Sequence, residues 1–193
     1  MISSKDRSGY FGASDTDKLL SSYASKTFTK WWLQKLGISR DNFKNKYTDA
    51  GTYYEHRILE SLEIPIELDK QIIIEDLKLR VNLDGNDDST IYECKTYLLD
   101  NGYNVPKKHV NQVQVQMFAT GYRNAEIVAY GLMPDEYDNY FREIDKSRLQ
   151  RIKIPYDENW INTVYLPKLI YLADCLKQGR FPKEKEVKNE QSV

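Results

Sequence analysis

Residues 82–95 read Asn82-Leu83-Asp84-Gly85-Asn86-Asp87-Asp88-Ser89-Thr90-Ile91-Tyr92-Glu93-Cys94-Lys95, a cluster of turn formers set between two extended stretches. Asn, Asp, Gly and Ser each favour tight reversals, so Asn86 to Ser89 can fold the strand carrying Asp84 back beside the strand carrying Glu93. Along an extended Ile91 to Thr96 the side chains alternate, with Glu93 and Lys95 on one face and Tyr92, Cys94 and Thr96 on the other. Asp84, Glu93 and Lys95 can therefore converge. Two carboxylates and the backbone carbonyl of Cys94 form an all-oxygen site suited to a hard cation such as Mg²⁺, which usually keeps several waters. One of those waters is a potential nucleophile. Charges alternating with apolar residues on a hairpin are most often just its solvated face, so the flanking sequence has to decide.

Upstream, Ser14 followed by Asp17 predicts a helix start with Ser14 as N-cap, and Leu19, Leu20 and Tyr23 supply its apolar face. A second helix is expected over Phe28 to Leu36, stopping at Gly37, and a third from about Gly51 to Leu62, ended by Pro65. Gln71 to Glu75, Lys78 to Leu83 and Thr90 to Tyr97 read as a three-stranded meander. Lys108 to Thr120 returns to helical spacing, with His109, Gln112 and Gln116 on one stripe and Val110, Val113 and Met117 on another. Ala125 to Leu132 reads as a buried strand, Leu149 to Ile154 as an outer strand, and Trp160 to Leu176 as a closing helix. The order αα-α-βββ-α-β-β-α defines a mixed α/β (α+β) domain. The adjacent Trp31 and Trp32 are expected in the core rather than against a ligand.

With 193 residues, 40% of them hydrophobic, the chain can bury one sizeable core, and a single domain over residues 1–182 with a charged, loose tail over 183–193 is expected. The start has no apolar signal-peptide core and no apolar run is long enough to span a bilayer, so a soluble intracellular protein with no membrane partner is expected. Two cysteines without a Cys-x-x-Cys pair argue against a zinc knuckle or an iron–sulfur cluster and predict free thiols. The net charge of −1 excludes a globally basic nucleic-acid binder, so any such partner must be held by a local patch.

Together, Gly51-x-x-x-Glu55, Asp84-Gly85, Glu93-Cys94-Lys95 and Asn111-Gln112-Val113-Gln114, in this order on these elements, resemble the PD-(D/E)xK nuclease fold. Within that fold they are most similar to the lambda exonuclease and YqaJ-type viral recombinase family, and the Arg7 and Ser14 spacing is the one with which that family opens its first helix. The resemblance implies a restriction-endonuclease-like mixed central sheet flanked by helices. It further implies that Asp84, Glu93 and the Cys94 carbonyl bind the metal, that Glu55 completes or supports the site, and that Lys95 lies next to the attacking water. Arg7, Ser14 and Gln112 match residues that hold a terminal 5′ phosphate. Where the family often has a small hydroxyl and a proline before the motif aspartate, this chain has Asn82-Leu83. It is also shorter than lambda exonuclease.

The expected function is that of a Mg²⁺-dependent deoxyribonuclease, with Mn²⁺ able to substitute, degrading linear duplex DNA from 5′ to 3′ in phage-type recombination. The alternatives are an endonuclease of restriction or defence type and a catalytically silent DNA-end-binding module. By resemblance the partners are double-stranded DNA ends, a single-strand annealing protein and further copies in a trimer, in the cytoplasm of a bacterial host of a phage or prophage.

Overall fold

The structure, a computed structural model, describes residues 8–39 and 46–184. After a 3₁₀ turn at Ala13–Asp15 come α1 (Thr16–Leu20), α2 (Lys26–Lys35) and α3 (Lys46–Glu60). The strands β1 (Glu67–Leu68), β2 (Gln71–Ile74), β3 (Leu79–Asn82), β4 (Gly85–Asn86) and β5 (Thr90–Leu98) follow, then α4 (Lys107–Thr120). The chain closes with β6 (Asn124–Leu132), β7 (Leu149–Pro155), α5 (Glu158–Trp160) and α6 (Leu166–Lys177).

Five strands form the main sheet in the order β1-β4-β5-β6-β7. The central pair, β5 and β6, is parallel in a register that runs from Thr90↔Asn124 to Leu98↔Leu132, and α4 is the crossover between them. The other pairs are antiparallel, which makes the sheet mixed. Alternation on β5 divides the core in two: Ile91 packs with Val113, Met117 and Leu169 on the α4 side, whereas Tyr92 and Cys94 pack with Tyr54 and Ile58 of α3. Each fully buried Leu or Ile contributes roughly 1.5–3 kcal/mol of transfer free energy, so this two-sided burial fixes the register that the site depends on.

The expected meander is bent across two sheets. β2 pairs with β3 in a separate ribbon, and β3 does not run on to β5. The pairs Gln71↔Asn82 and Leu68↔Gly85 nevertheless belong to one register, which would set Asp69 opposite Asp84. At that point the ladder loosens: the Asp69 N–H reaches the Asp84 carbonyl only at 3.4 Å, against 2.8 Å for the Leu83 N–H to the Lys70 carbonyl. Asp69, between β1 and β2, takes a left-handed conformation (φ 58°), a region that Asp tolerates better than most residues, and this kink separates β2 in the ribbon from β1 in the main sheet, where β1 pairs with β4. Gly85 allows the new course, because a Cβ there would sit 2.6 Å from Ile66 Cγ2 and 2.8 Å from Leu59 Cδ1.

Two helix boundaries have local causes. Ser25 caps α2 by accepting the Phe28 N–H at 3.1 Å, and α4 ends at Gly121, which adopts φ 79°. In the closing helix Pro167 lacks an N–H, and the chain widens into a π-helical turn over Ile161–Tyr165 just before it. Trp31 and Trp32 are both buried, and their indole N–H groups donate to Asp15 Oδ1 and to the Arg180 carbonyl. Cys94 and Cys175 are free thiols, and among the described residues no helix is long and apolar enough to cross a membrane. The first residues of the expected tail are tied to the body: the Lys183 N–H donates to the Tyr171 hydroxyl, and Glu184 accepts from Ser22 and the Tyr23 N–H. Residues 185–193 lie outside the described part.

Candidate active site

Asp84 stands at the kink between β3 and β4, and its Oδ2 accepts the Cys94 N–H of β5 at 2.8 Å. Strand and kink thus bring Asp84 beside Glu93-Cys94-Lys95, as the hairpin reading required. Glu93 is buried on the face that meets α4, and its carboxylate is held by three donors. Oε1 accepts from Lys95 Nζ and, at 2.6 Å, from Gln112 Nε2, while Oε2 accepts from Gln116 Nε2. The one-turn spacing of Gln112 and Gln116 on α4 is what allows both amides to reach one carboxylate.

Glu55 comes from α3 on the other side of the sheet, where the Cys94 thiol donates to its backbone carbonyl at 3.6 Å. Gly51, one turn earlier, lies 3.6 Å from Thr96 Oγ1 when given a Cβ, so α3 packs closely over β5.

The electrostatics follow from this crowding. Burial, then the Glu93 and Glu55 carboxylates, push Asp84 well above the usual carboxylate range, although the site remains partly open to a pocket. Burial and the nearby Glu93 raise Glu55 to about 7. Burial alone would lower the Lys95 pKa, but the Glu93 and Asp84 charges overcome it and hold the ammonium protonated. Burial, followed by the Lys95 charge, lowers His109 to about 4, which leaves it neutral with Nδ1 2.8 Å from the Tyr103 hydroxyl. Three acids and a single lysine form an oxygen-rich cluster whose repulsion a divalent cation relieves, so the donor set fits a hard metal. A tighter ligand geometry occurs next door: among the described residues, Glu55, His56 and Asp69 form the group of three whose ligand atoms lie within 4.8 Å of one another. His56 Nε2 is 3.1 Å from Asp69 Oδ2.

A pocket of about 300 Å³ opens beside Asp84 and Lys95, and Ser14, Arg80 and Gln112 also line it. A second concavity of about 190 Å³ lies near Thr90, Asn124 and Lys153 and includes none of the clustered acids.

Ser14 departs from the expected role of N-cap. The chain enters a 3₁₀ turn at Ala13 with Gly12 before it, Asp15 reaches back from the end of that turn to accept the Gly12 N–H at 2.9 Å, and no side chain caps the start of α1. The Asp15 carboxylate is buried and also held by Lys35 and by Trp31 Nε1. Ser14 is left exposed on the turn, and α1, with five residues, is too short to supply the dipole of a longer helix. Arg7 lies outside the described residues. Sequence reasoning placed Gln116 on the right stripe without seeing its contact with Glu93, and it missed Arg80, His56 and Asp69, whose positions depend on the bent ribbon.

The sequence matches no protein-family model and none of the curated proteins compared with it. Its fold is nevertheless that of solved exonuclease structures. An alkaline exonuclease from Laribacter hongkongensis superposes with a TM-score of 0.65 at 17% identity, over 96% of this chain and 93% of that one. The same enzyme in complex with dAMP superposes with a TM-score of 0.65 at 17% identity, over 95% and 92% of the two chains. A phage-related exonuclease from Haemophilus somnus 129PT gives a TM-score of 0.59 at 15% identity, over 95% and 96%. The chain therefore has the restriction-endonuclease-like α/β architecture, with its mixed sheet between helices.

Proposed function

We propose that this chain is a divalent-cation-dependent DNA exonuclease that acts from the 5′ end of linear duplexes. The observation that carries the reading is the cluster of Asp84, Glu93, Glu55 and Lys95, of which Asp84 and Lys95 line an open pocket, within a fold shared with exonucleases. The dAMP complex of the Laribacter enzyme adds support that this fold accepts nucleotides. Asp84 and Glu93 would hold Mg²⁺ or Mn²⁺ together with the Cys94 carbonyl, and Glu55 would support them. When bound, the cation supplies Lewis-acid polarisation of a phosphoryl oxygen and acidifies a water.

The chain's own groups perform the rest. Lys95, kept charged by its carboxylate neighbours, offers a compact positive charge to the negative charge that develops on phosphorus. Gln112 and Gln116 hold Glu93 in one orientation, which keeps the reacting geometry fixed. Ser14 and Gln112, at the same pocket, and Arg7 would receive the terminal 5′ phosphate. A role in phage-type recombination, a single-strand annealing partner and a trimeric assembly in a bacterial cytoplasm complete the proposal and rest on the family resemblance.

Linear and covalently closed circular duplexes incubated side by side with Mg²⁺ test it. Loss of the linear form alone, faster with a 5′ phosphate than with a 5′ hydroxyl, is the expected result. Nicking of the circles would replace the exonuclease with an endonuclease of the same fold, and inertness toward both would leave a binding module.

A further inference from the structure

The stripe of α4 that meets the acids does not end at Gln112. Gln116 and Gln112 both donate to the Glu93 carboxylate, and Gln112 also lines the pocket. His109 is the next residue of that stripe, one turn closer to the start of the helix, and it is half-buried.

Its ring is held from the sheet. Nδ1 lies 2.8 Å from the Tyr103 hydroxyl, and the two rings stack with centroids 6.2 Å apart and planes 15° apart. Tyr103 in turn packs on Tyr97 at 5.2 Å, and the Tyr97 hydroxyl accepts from Gln150 Nε2 at 2.9 Å. Tyr97 stands two residues beyond Lys95 on β5, so alternation puts it on the face that carries Glu93 and Lys95. The line Gln150, Tyr97, Tyr103 thus delivers the His109 ring to the Lys95 side of the sheet.

This arrangement fixes a proton. Among the described residues the Tyr103 hydroxyl has no other hydrogen-bond partner, so its proton goes to Nδ1. The imidazole, kept neutral by burial and then by the Lys95 charge, therefore carries its own proton on Nε2. Nε2 lies on the side of the ring turned away from Tyr103 and has no partner among the described residues. The outcome is one uncharged N–H donor of fixed direction, one turn from Gln112. A second cation here would repel the Lys95 ammonium, whereas a neutral donor adds a hydrogen bond to the same anion without that cost.

We infer that His109 is a further substrate-contacting residue of this site: its Nε2–H donates to a non-bridging phosphate oxygen of the bound DNA strand, and Tyr103 is the positioning residue that fixes the ring. The inference rests on the nuclease reading, and the phosphate is either the terminal monoester or an internal diester.

The test compares wild type with three variants, each first shown by circular dichroism to be folded. His109→Phe keeps a ring for stacking but has no N–H, His109→Gln places an amide nitrogen about as far out as Nε2, and Tyr103→Phe removes the hydroxyl alone. If His109→Phe fails to fold, His109→Asn, whose amide is too short to reach, takes its place. Binding of fluorescent duplexes with a 5′ phosphate or a 5′ hydroxyl is measured at pH 8 in Ca²⁺ across a NaCl series, and cleavage is measured in Mg²⁺. His109→Phe should weaken binding about 3- to 10-fold, with the slope of log K against log salt unchanged because an uncharged donor releases no counterion. His109→Gln should recover most of that loss. Tyr103→Phe should cost about threefold alone and nothing further in the His109→Phe background, a coupling that two independent packing defects do not show. A loss confined to phosphorylated ends assigns the contact to the terminal phosphate, and an equal loss on both ends assigns it to an internal one; either supports the inference. With wild-type protein cleaving DNA, wild-type binding in His109→Phe, no recovery in His109→Gln, a slope reduced by about one, or additive losses with Tyr103→Phe would overturn it. A wild-type protein that neither binds nor cleaves DNA would overturn the nuclease reading and this inference with it.

Discussion

In the absence of divalent cations, raising the pH from about 5.5 to about 8 should destabilise the protein, and Glu55→Gln should remove much of that loss. An acid whose folded pKa stands above its unfolded value holds its proton more tightly in the folded state. For Glu55 the resulting stabilisation is complete below 4.5 and disappears as the pH rises through about 7, because the folded protein must then carry a crowded charge. Asp84, also raised by burial and by its carboxylate neighbours, acts in the same direction. A displacement from 4.5 to about 7 corresponds to about 3 kcal/mol, which partial solvent access at Glu55 reduces to roughly 2 kcal/mol. At about pH 8, Glu55→Gln should therefore be more stable than wild type by roughly 2 kcal/mol, or about 4–8 °C in Tm for a domain of this size. Urea unfolding with EDTA at several pH values measures it. Saturating Mg²⁺ should return the lost stability to wild type, since a ligand at 100 times its Kd contributes about 2.7 kcal/mol. A flat pH profile, or a Glu55→Gln protein less stable than wild type at high pH, would refute the reasoning.

The remaining expectations concern single contacts. Lys95→Ala should lose cleavage but retain Mg²⁺ binding by isothermal titration calorimetry, because an ammonium is a charge beside the cation and never its ligand; cleavage at the wild-type rate would remove Lys95 from the mechanism. Gly85→Ala should cost about 1–3 kcal/mol in urea unfolding, since its Cβ would press on Ile66 and Leu59 at 2.6 and 2.8 Å, and a neutral change would show that the kink has slack. Lys35→Met should destabilise by about 3–5 kcal/mol by leaving the buried Asp15 without its ion-pair partner, and Asp15→Asn in the same background should recover part of that loss. Two additive losses would contradict this pairing.

The legible parts of the molecule are those whose signal is local. Helical spacing with a stop at Gly37 marks α2, though its start at Lys26 lies two residues before the expected Phe28, helical spacing alone marks α4, and strict alternation places Glu93 and Lys95 on one face of β5. The bend at Asp69 was invisible, because it depends on how a two-sheet ribbon shares one register rather than on any residue pattern. Ser14 misled for a related reason. A serine before an apolar run reads as a cap, and the buried Lys35 and Trp31, which draw Asp15 inward and with it shape the 3₁₀ turn that leaves Ser14 outside, are not visible in the local sequence. Gln116 lay on a visible stripe, yet its value comes from meeting Glu93 across 23 positions of sequence, a contact that spacing along one helix cannot reveal.

The central claim is that the Asp84 and Glu93 carboxylates form a catalytic centre for phosphodiester cleavage. Single-turnover cleavage of an end-labelled linear duplex in saturating Mg²⁺, compared between wild type and Asp84→Asn, tests it most directly. The variant keeps the size of the side chain and sheds a charge that the fold disfavours, so it should unfold at the wild-type temperature or above while cleaving on the order of a thousandfold more slowly. A folded Asp84→Asn protein that cleaves within a few-fold of the wild-type rate would contradict the account.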